Sequence, residues 1–358
     1  GDVLAIGSNS INDYTGQVEV RQYTGITWRK LGNIIPGSEK NENFGHTVQL
    51  SEKGRVLVAG GFGSDDTDGT LKGKVRAYQL NESEMQWEQL GSQIMGQTEG
   101  DRFGVALSMS KNARSWIVGA DNFEGPDGER NGYAKVYSYY GGDWAQKGST
   151  IFGMNGERTG YAVAMSGNGN TVCVGDRWYE VVDIGRKGRA RCFWWNGSDW
   201  NVKGTNYILG TAEDGEMGYS LSLNYDGTRV AVGNRFGGDD RQGSVAVYEF
   251  KKNSWRIMGS EQVSIRRNDH GGFKVELNAE GNVMAWTARG YNGDGFDTGI
   301  VRVARWVNGE WIRLGGDLLG DDAKDYFGES VALNDDGTII AASANMGDVE
   351  YVRAFALS

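Results

Sequence analysis

The sequence predicts an all-β fold: a seven-bladed β-propeller of four-stranded antiparallel blades, with the first and last blades each lacking a strand. Three observations lead there. A tryptophan recurs at Trp28, Trp87, Trp144, Trp200, Trp255 and Trp311, at spacings of 55 to 59 residues. A glycine keeps step with it at Gly45, Gly104, Gly160, Gly218, Gly272 and Gly328. The segments between these markers alternate apolar and polar residues, the period of a strand in an antiparallel sheet.

Each repeat reads as four short strands. The first is seen in Ala106-Leu107-Ser108-Met109 and Val331-Ala332-Leu333, and several copies end in Asp-Gly or Glu-Gly, as at Asp226-Gly227, Glu280-Gly281 and Asp336-Gly337. Such dipeptides supply the positive φ angles of a two-residue hairpin turn. The second strand, as in Val56-Leu57-Val58-Ala59, is almost wholly apolar and fits burial on both faces. The third follows a glycine and closes on an aromatic, as in Val245-Ala246-Val247-Tyr248. The fourth carries the tryptophan and is half polar, as in Trp311-Ile312-Arg313-Leu314, which suits an outer edge.

Composition agrees. Glycine supplies 57 of the 358 residues and proline only 2, a balance suited to many tight turns. The 12 Trp, 16 Tyr and 12 Phe provide apolar area for a sizeable core. A formal charge of -10 without a cluster of lysine and arginine argues against nucleic acid and anionic membranes as partners. No apolar run approaches the roughly 20 residues of a membrane helix, so membrane insertion is not expected. Cys173 and Cys192 fall on adjacent strands of one repeat, where a cross-strand bridge and two buried thiols are both open readings.

The chain ends set the strand count. Gly1-Asp2-Val3-Leu4-Ala5-Ile6-Gly7 aligns position for position with Gly227-Thr228-Arg229-Val230-Ala231-Val232-Gly233, a turn and second strand, and the chain closes on a third strand, Val352 to Leu357. Seven second and third strands but six first and fourth strands follow. One propeller domain, 1–358, is expected, with repeat units near 1–42, 43–101, 102–157, 158–216, 217–269, 270–325 and 326–358. The missing strands are expected either in a larger parent polypeptide or from a neighbouring molecule through strand addition and self-assembly.

The run Phe327-Gly328-Glu329-Ser330-Val331-Ala332-Leu333-Asn334-Asp335-Asp336-Gly337, followed by an apolar strand, resembles the FG-GAP repeats of integrin alpha-chain propellers. Gly119-Ala120 and Gly60-Gly61 stand where those repeats have glycine-alanine-proline. The likeness spans the chain and is similar above all to FG-GAP-like proteins of algae and marine microbes. It implies a propeller used in cell adhesion. The calcium loop of such repeats is replaced here by bare turns such as Asn224-Tyr225-Asp226-Gly227, too poor in oxygen for six to eight ligands.

Long loops between second and third strands hold the candidate ligand-binding residues: Phe62, Phe123, Trp178, Tyr179, Phe236, Tyr291 and Phe296, each near carboxylates. Their expected ligand is a protein or a glycan. No cofactor is required. Calcium is considered at Asp65, Asp66 and Asp68 and at Asn292, Asp294 and Asp297, where oxygens lie close together beside glycine. Asn81-Glu82-Ser83 and Asn196-Gly197-Ser198 match the glycosylation signal and point toward secretion. His46 and His270 lie in different repeats without a nucleophile beside them, so no catalytic residue is assigned. The expectation is a non-enzymatic extracellular or cell-surface adhesion module. The alternatives are a structural subunit of a fibre or coat and a carbohydrate-active enzyme.

Overall fold

A computed structural model describes residues 2–63, 72–182, 185–293, 295–345 and 350–357. The chain is an all-β seven-bladed propeller with mostly four-stranded antiparallel blades. By compactness it divides into two units, Gly1–Gly169 with Trp195–Trp200, and Asn170–Trp194 with Asn201–Ser358.

The first unit holds three blades. The first is Val3–Ser8, Gln17–Tyr23 and Trp28–Lys30; the second is Thr47–Leu50, Val56–Gly61, Lys74–Asn81 and Gln86–Gln89. The third is Ala106–Met109, Ser115–Ala120, Tyr133–Tyr140 and Asp143–Gln146. The strand Thr159–Met165, which opens the fourth repeat, also lies here.

The second unit continues that repeat with Thr171–Asp176 and most of Arg189–Trp195. The fifth blade is Met217–Leu223, Arg229–Asn234, Ser244–Lys251 and Ser254–Ile257; the sixth is Gly271–Leu277, Val283–Ala288, Ile300–Val307 and Glu310–Arg313. The seventh, Ser330–Leu333, Ile339–Ala344 and Tyr351–Ala356, has no fourth strand among the described residues, and the first blade has no first strand.

Burial follows the predicted gradient. Second strands such as Ser115–Ala120 and Val283–Ala288 are buried throughout, whereas fourth strands such as Asp143–Gln146 bury only their tryptophan. The cores lie between blades. In the first unit Val58, Val75 and Ala77 of one blade pack on Phe103, Leu107, Trp116 and Trp144 of the next. In the second unit Val283, Ala285, Val301 and Val303 meet Phe327, Val331, Ile340 and Ala342. A single sheet exposes two apolar faces, so stacking is what removes them from water.

Two recurring contacts join neighbours. At the inner edge the Phe-Gly glycine has positive φ, for example 90° at Gly160, and its carbonyl lies against the second strand of the preceding blade. A Cβ on Gly119 would sit 1.8 Å from Gly160 O, and one on Gly233 would sit 2.1 Å from Gly272 O. Both positions are confined to glycine, one by φ and one by space. At the rim the repeating tryptophans from the second blade onward donate their indole N–H to a backbone carbonyl of the preceding blade: Trp87 to Leu31 (2.8 Å), Trp144 to Leu90 (2.7 Å), Trp200 to Lys147 (2.8 Å), Trp255 to Lys203 (2.9 Å) and Trp311 to Met258 (2.8 Å).

One element escapes sequence reading. After the fourth strand the chain makes a second, two-residue pairing with the start of the third, as Ile94–Met95 does with Lys74 and Val75. Two residues carry no periodicity. Cys173 and Cys192 face each other directly across their strands and form a disulfide, the first of the two open readings.

Trp144→Phe keeps the ring in the core but orphans the Leu90 carbonyl, so a loss of about 1–2 kcal/mol is expected by urea unfolding. Replacing both cysteines by serine should cost about 3 kcal/mol, the loop-closure value for a bridge spanning roughly 20 residues, as measured by unfolding with and without reductant.

Candidate functional site

The turns that precede the first strands share a backbone feature. The residue just before the Phe-Gly position has positive φ in each copy: Asn43, Arg102, Arg158, Glu216, His270 and Tyr326. Four of these six carry charge or an imidazole, where a glycine would relieve the strain. In the second unit this turn and the loops after the second strands bring titratable groups of the fifth, sixth and seventh blades together.

His270 stands edge-on to Phe236, with ring centroids 5.2 Å apart. Two guanidinium groups approach the same Phe236 ring, Arg235 at 4.7 Å and Arg241 at 4.5 Å. Arg289, which follows the strand Val283–Ala288, lies 5.1 Å from the Phe273 ring and 4.7 Å from Tyr326. It pairs with Glu329 at 3.1 Å. The Tyr326 hydroxyl donates to Asp297 Oδ2 at 3.1 Å.

The electrostatics of this cluster are unusual for surface groups. Burial pushes the His270 pKa down to about 4, and the charges of Arg235 and Arg289 push the same way, so the ring is neutral near pH 7. Burial raises the Glu329 carboxyl above the usual carboxylate range, against the opposing pull of Arg289 and Lys274. Glu329 nevertheless keeps a quarter of its side chain exposed, and its Oε2 makes no hydrogen bond. A largely buried carboxyl of raised pKa, its inner oxygen against an arginine, is a candidate general base.

The aromatic candidates are distributed differently from the ring imagined from sequence. Phe236 enters the cluster. Phe62 packs on His46 at 4.5 Å with Arg102 at 5.0 Å, and Phe123 packs on Tyr133 and Phe152. Trp178 is approached by Arg186 at 4.7 Å, Tyr179 by Arg189 at 3.9 Å and Tyr291 by Arg302 at 5.6 Å. Phe296 alone projects, 73% exposed. Five of the seven therefore have an arginine near their rings, which holds each loop through cation–π attraction.

Of the calcium candidates, Asp65, Asp66, Asp68 and Asp294 lie outside the described residues. Asn292 uses its Oδ1 to accept the Asp297 N–H at 2.7 Å, and Asp297 accepts from Tyr326, so both serve their own turn. Among the described residues no group of three His, Cys, Asp or Glu is placed to hold a metal ion. The two glycosylation candidates likewise close turns: Asn81 Oδ1 accepts from Ser83 N and Asn196 Oδ1 from Ser198 N.

Glu329, Arg289, Arg241, Arg235 and Lys274 were not singled out by sequence, and His270 was set aside. A signal existed. The residue after each Phe-Gly glycine is His46, Val105, Tyr161, Tyr219, Phe273 and Glu329, a column in which Glu329 is the lone carboxylate.

No protein-family model matches the chain, and no curated protein matches it. Solved structures do. A putative 6-phosphogluconolactonase from Bacteroides uniformis is 12% identical with a TM-score of 0.61, covering 98% of this chain and 92% of its own. A second, from Bacteroides fragilis, is 13% identical with a TM-score of 0.56 and the same coverage. What passes from them to this chain is the propeller fold.

These findings correct the expected FG-GAP relationship. The two solved structures just described bear a lactonase description, and the Phe-Gly and Asp-Gly pairs have an architectural cause. The Phe-Gly glycine is required by positive φ and by the close approach between blades, and the Asp-Gly glycines Gly227 and Gly337 have φ of 70° and 69° in their hairpins. Blades packed this way acquire the pairs whatever their ancestry. The integrin-like, adhesive and non-enzymatic expectations rested on that resemblance and are withdrawn with it. The histidine argument against catalysis also fails, because His270 sits among ionisable groups from neighbouring blades.

The depressed His270 pKa has a consequence for stability. Between its ordinary value near 6.5 and about 4 the unfolded chain binds a proton that the folded chain does not, so acid in this window favours unfolding. His270→Gln should flatten the decline in unfolding free energy from pH 7 to pH 5, measured by urea titration at each pH; an unchanged slope would show that His270 is not the group responsible.

Proposed function

We propose that this propeller is a hydrolase that opens a sugar-derived lactone, with Glu329 as general base. The observation that carries the reading is the juxtaposition of Glu329 and Arg289 at 3.1 Å, in a setting that raises the carboxyl pKa. The description borne by the two solved structures of like fold supports the same class of substrate.

In this reaction Glu329 takes a proton from water as the oxygen attacks the lactone carbonyl. Arg289 and Lys274 offset the negative charge that develops on the carbonyl oxygen. Collapse breaks the ring C–O bond, and the proton held by Glu329 passes to the leaving alkoxide, which yields a hydroxy-acid. His270, neutral at pH 7, adds no charge that would hold Glu329 ionised. Arg235 and Arg241 suit an anionic substituent on the sugar. The buried Cys173–Cys192 disulfide supports an oxidising compartment outside the cytosol.

The test is proton release from δ-gluconolactone, with and without a 6-phosphate, followed at constant pH above the spontaneous rate. Glu329→Gln should lower kcat by about a hundredfold or more at unchanged fold. Hydrolysis no faster than in buffer, or equal in the variant, would end the proposal.

A further inference from the structure

Phe296 differs from the other loop aromatics. Tyr291, earlier in the same loop, has Arg302 near its ring, as most of the sister aromatics have an arginine near theirs, whereas Phe296 projects, 73% exposed. Its backbone is fastened from several sides. Phe296 O accepts the Lys324 N–H at 2.8 Å, and Asp297 O accepts the Tyr326 N–H at 3.0 Å. Asn292 Oδ1 accepts the Asp297 N–H at 2.7 Å, and the Thr298 hydroxyl donates to Gly295 O at 3.0 Å. A phenyl ring gains most from burial, yet an ordered turn holds this one in water.

A hollow lies beside it. Gly295, Thr298, Leu319, Gly320, Asp322 and Ala323 surround a cavity of about 160 Å³, with Asp321 at its edge. Part of the wall is apolar: Leu319 is 40% exposed, and Gly295 runs so close to Ala323 that a Cβ there would lie 2.9 Å from the Ala323 Cβ. The remainder offers carboxylate oxygens, of which those of Asp321 pair with Arg353. The volume is below the roughly 300–1,000 Å³ that encloses a whole drug-sized ligand, and suits one ring of a larger molecule.

The same turn is joined to the proposed active site. Asp297 Oδ2 accepts from the Tyr326 hydroxyl at 3.1 Å, and Arg289 lies 4.7 Å from the Tyr326 ring and 3.1 Å from Glu329. A pyranose has apolar C–H faces and a rim of hydroxyl donors, so an exposed aromatic ring next to carboxylate acceptors is the set of groups that recognises one. Asp297, Asp321 and Asp322 disfavour an anion here and leave a neutral sugar unopposed.

We infer that the lactone opened at Glu329 carries a further neutral sugar unit, which stacks on Phe296 with its hydroxyls toward Asp322. This rests on the hydrolase reading above and makes Phe296 a specificity-determining residue. It is tested by comparing δ-gluconolactone with cellobionolactone, the same ring bearing a glucosyl unit. In the wild type kcat/KM should be about tenfold higher for the disaccharide lactone, chiefly through KM. Phe296→Ala should lose that preference and Phe296→Trp should keep it. Equal kcat/KM for the two lactones, or a preference untouched by Phe296→Ala, overturns the inference and leaves the hydrolase reading standing. Should neither lactone be opened, calorimetry with cellobiose decides. Saturable binding by the wild type and Phe296→Trp but not by Phe296→Ala upholds the sugar site without the reaction, and equal behaviour of wild type and Phe296→Ala rejects it.

Discussion

Neighbouring blades meet backbone to backbone at a glycine, and the other inter-blade contacts depend on that approach. Where Gly160 O lies against Gly119, or Gly272 O against Gly233, no side chain can stand between the inner strands. The sheets are thereby close enough for the apolar residues of second and third strands to interdigitate with the next blade. A methyl group at this seam would push the inner edges apart and open the cores, whose packing tolerates little added volume.

The rim complements the seam. An indole N–H donated to the preceding blade's carbonyl repeats from Trp87 to Trp311, so the outer edges are held by hydrogen bonds and the inner edges by steric fit. The twist between blades is thus set at two radii. The buried carboxylates add a third level of order: Asp101 and Asp325 bind their own turns and also accept the hydroxyls of Tyr133 and Tyr351, which tie the turns to third strands. Positions outside these constraints are free to vary, and the chemistry collects there. The residue before the Phe-Gly pair ranges through asparagine, arginine, glutamate, histidine and tyrosine, and the residue after it through histidine, valine, tyrosine, phenylalanine and glutamate.

Legibility in the sequence followed the same division. Strand number, the apolar second strands, the half-polar fourth strands and the two incomplete blades were readable from Trp28 to Trp311 and from the two chain ends, since each reflects a local requirement repeated many times. The two-residue strands such as Ile94–Met95 were not, because they pair with a strand already partnered elsewhere and leave no period. The loop aromatics were visible, but their arginine neighbours were not: Arg102, Arg241 and Arg302 stand at irregular distances, 5 to 40 residues, from Phe62, Phe236 and Tyr291. The motif likeness failed as a guide to kinship for a related reason. Glycine at positive φ is demanded by geometry, and geometry is shared by unrelated propellers.

The sequence by itself determined that this chain forms stacked four-stranded sheets, because repeated glycine, tryptophan and alternating apolar residues leave small sheets no other way to bury both faces. Only the tertiary structure decided which charges face one another. Glu329 and Arg289 are 40 residues apart in the chain and 3.1 Å apart in space. A pKa depends on burial and on neighbouring charge, neither of which is written in local order, so the His270 and Glu329 environment emerged only once the blades were assembled.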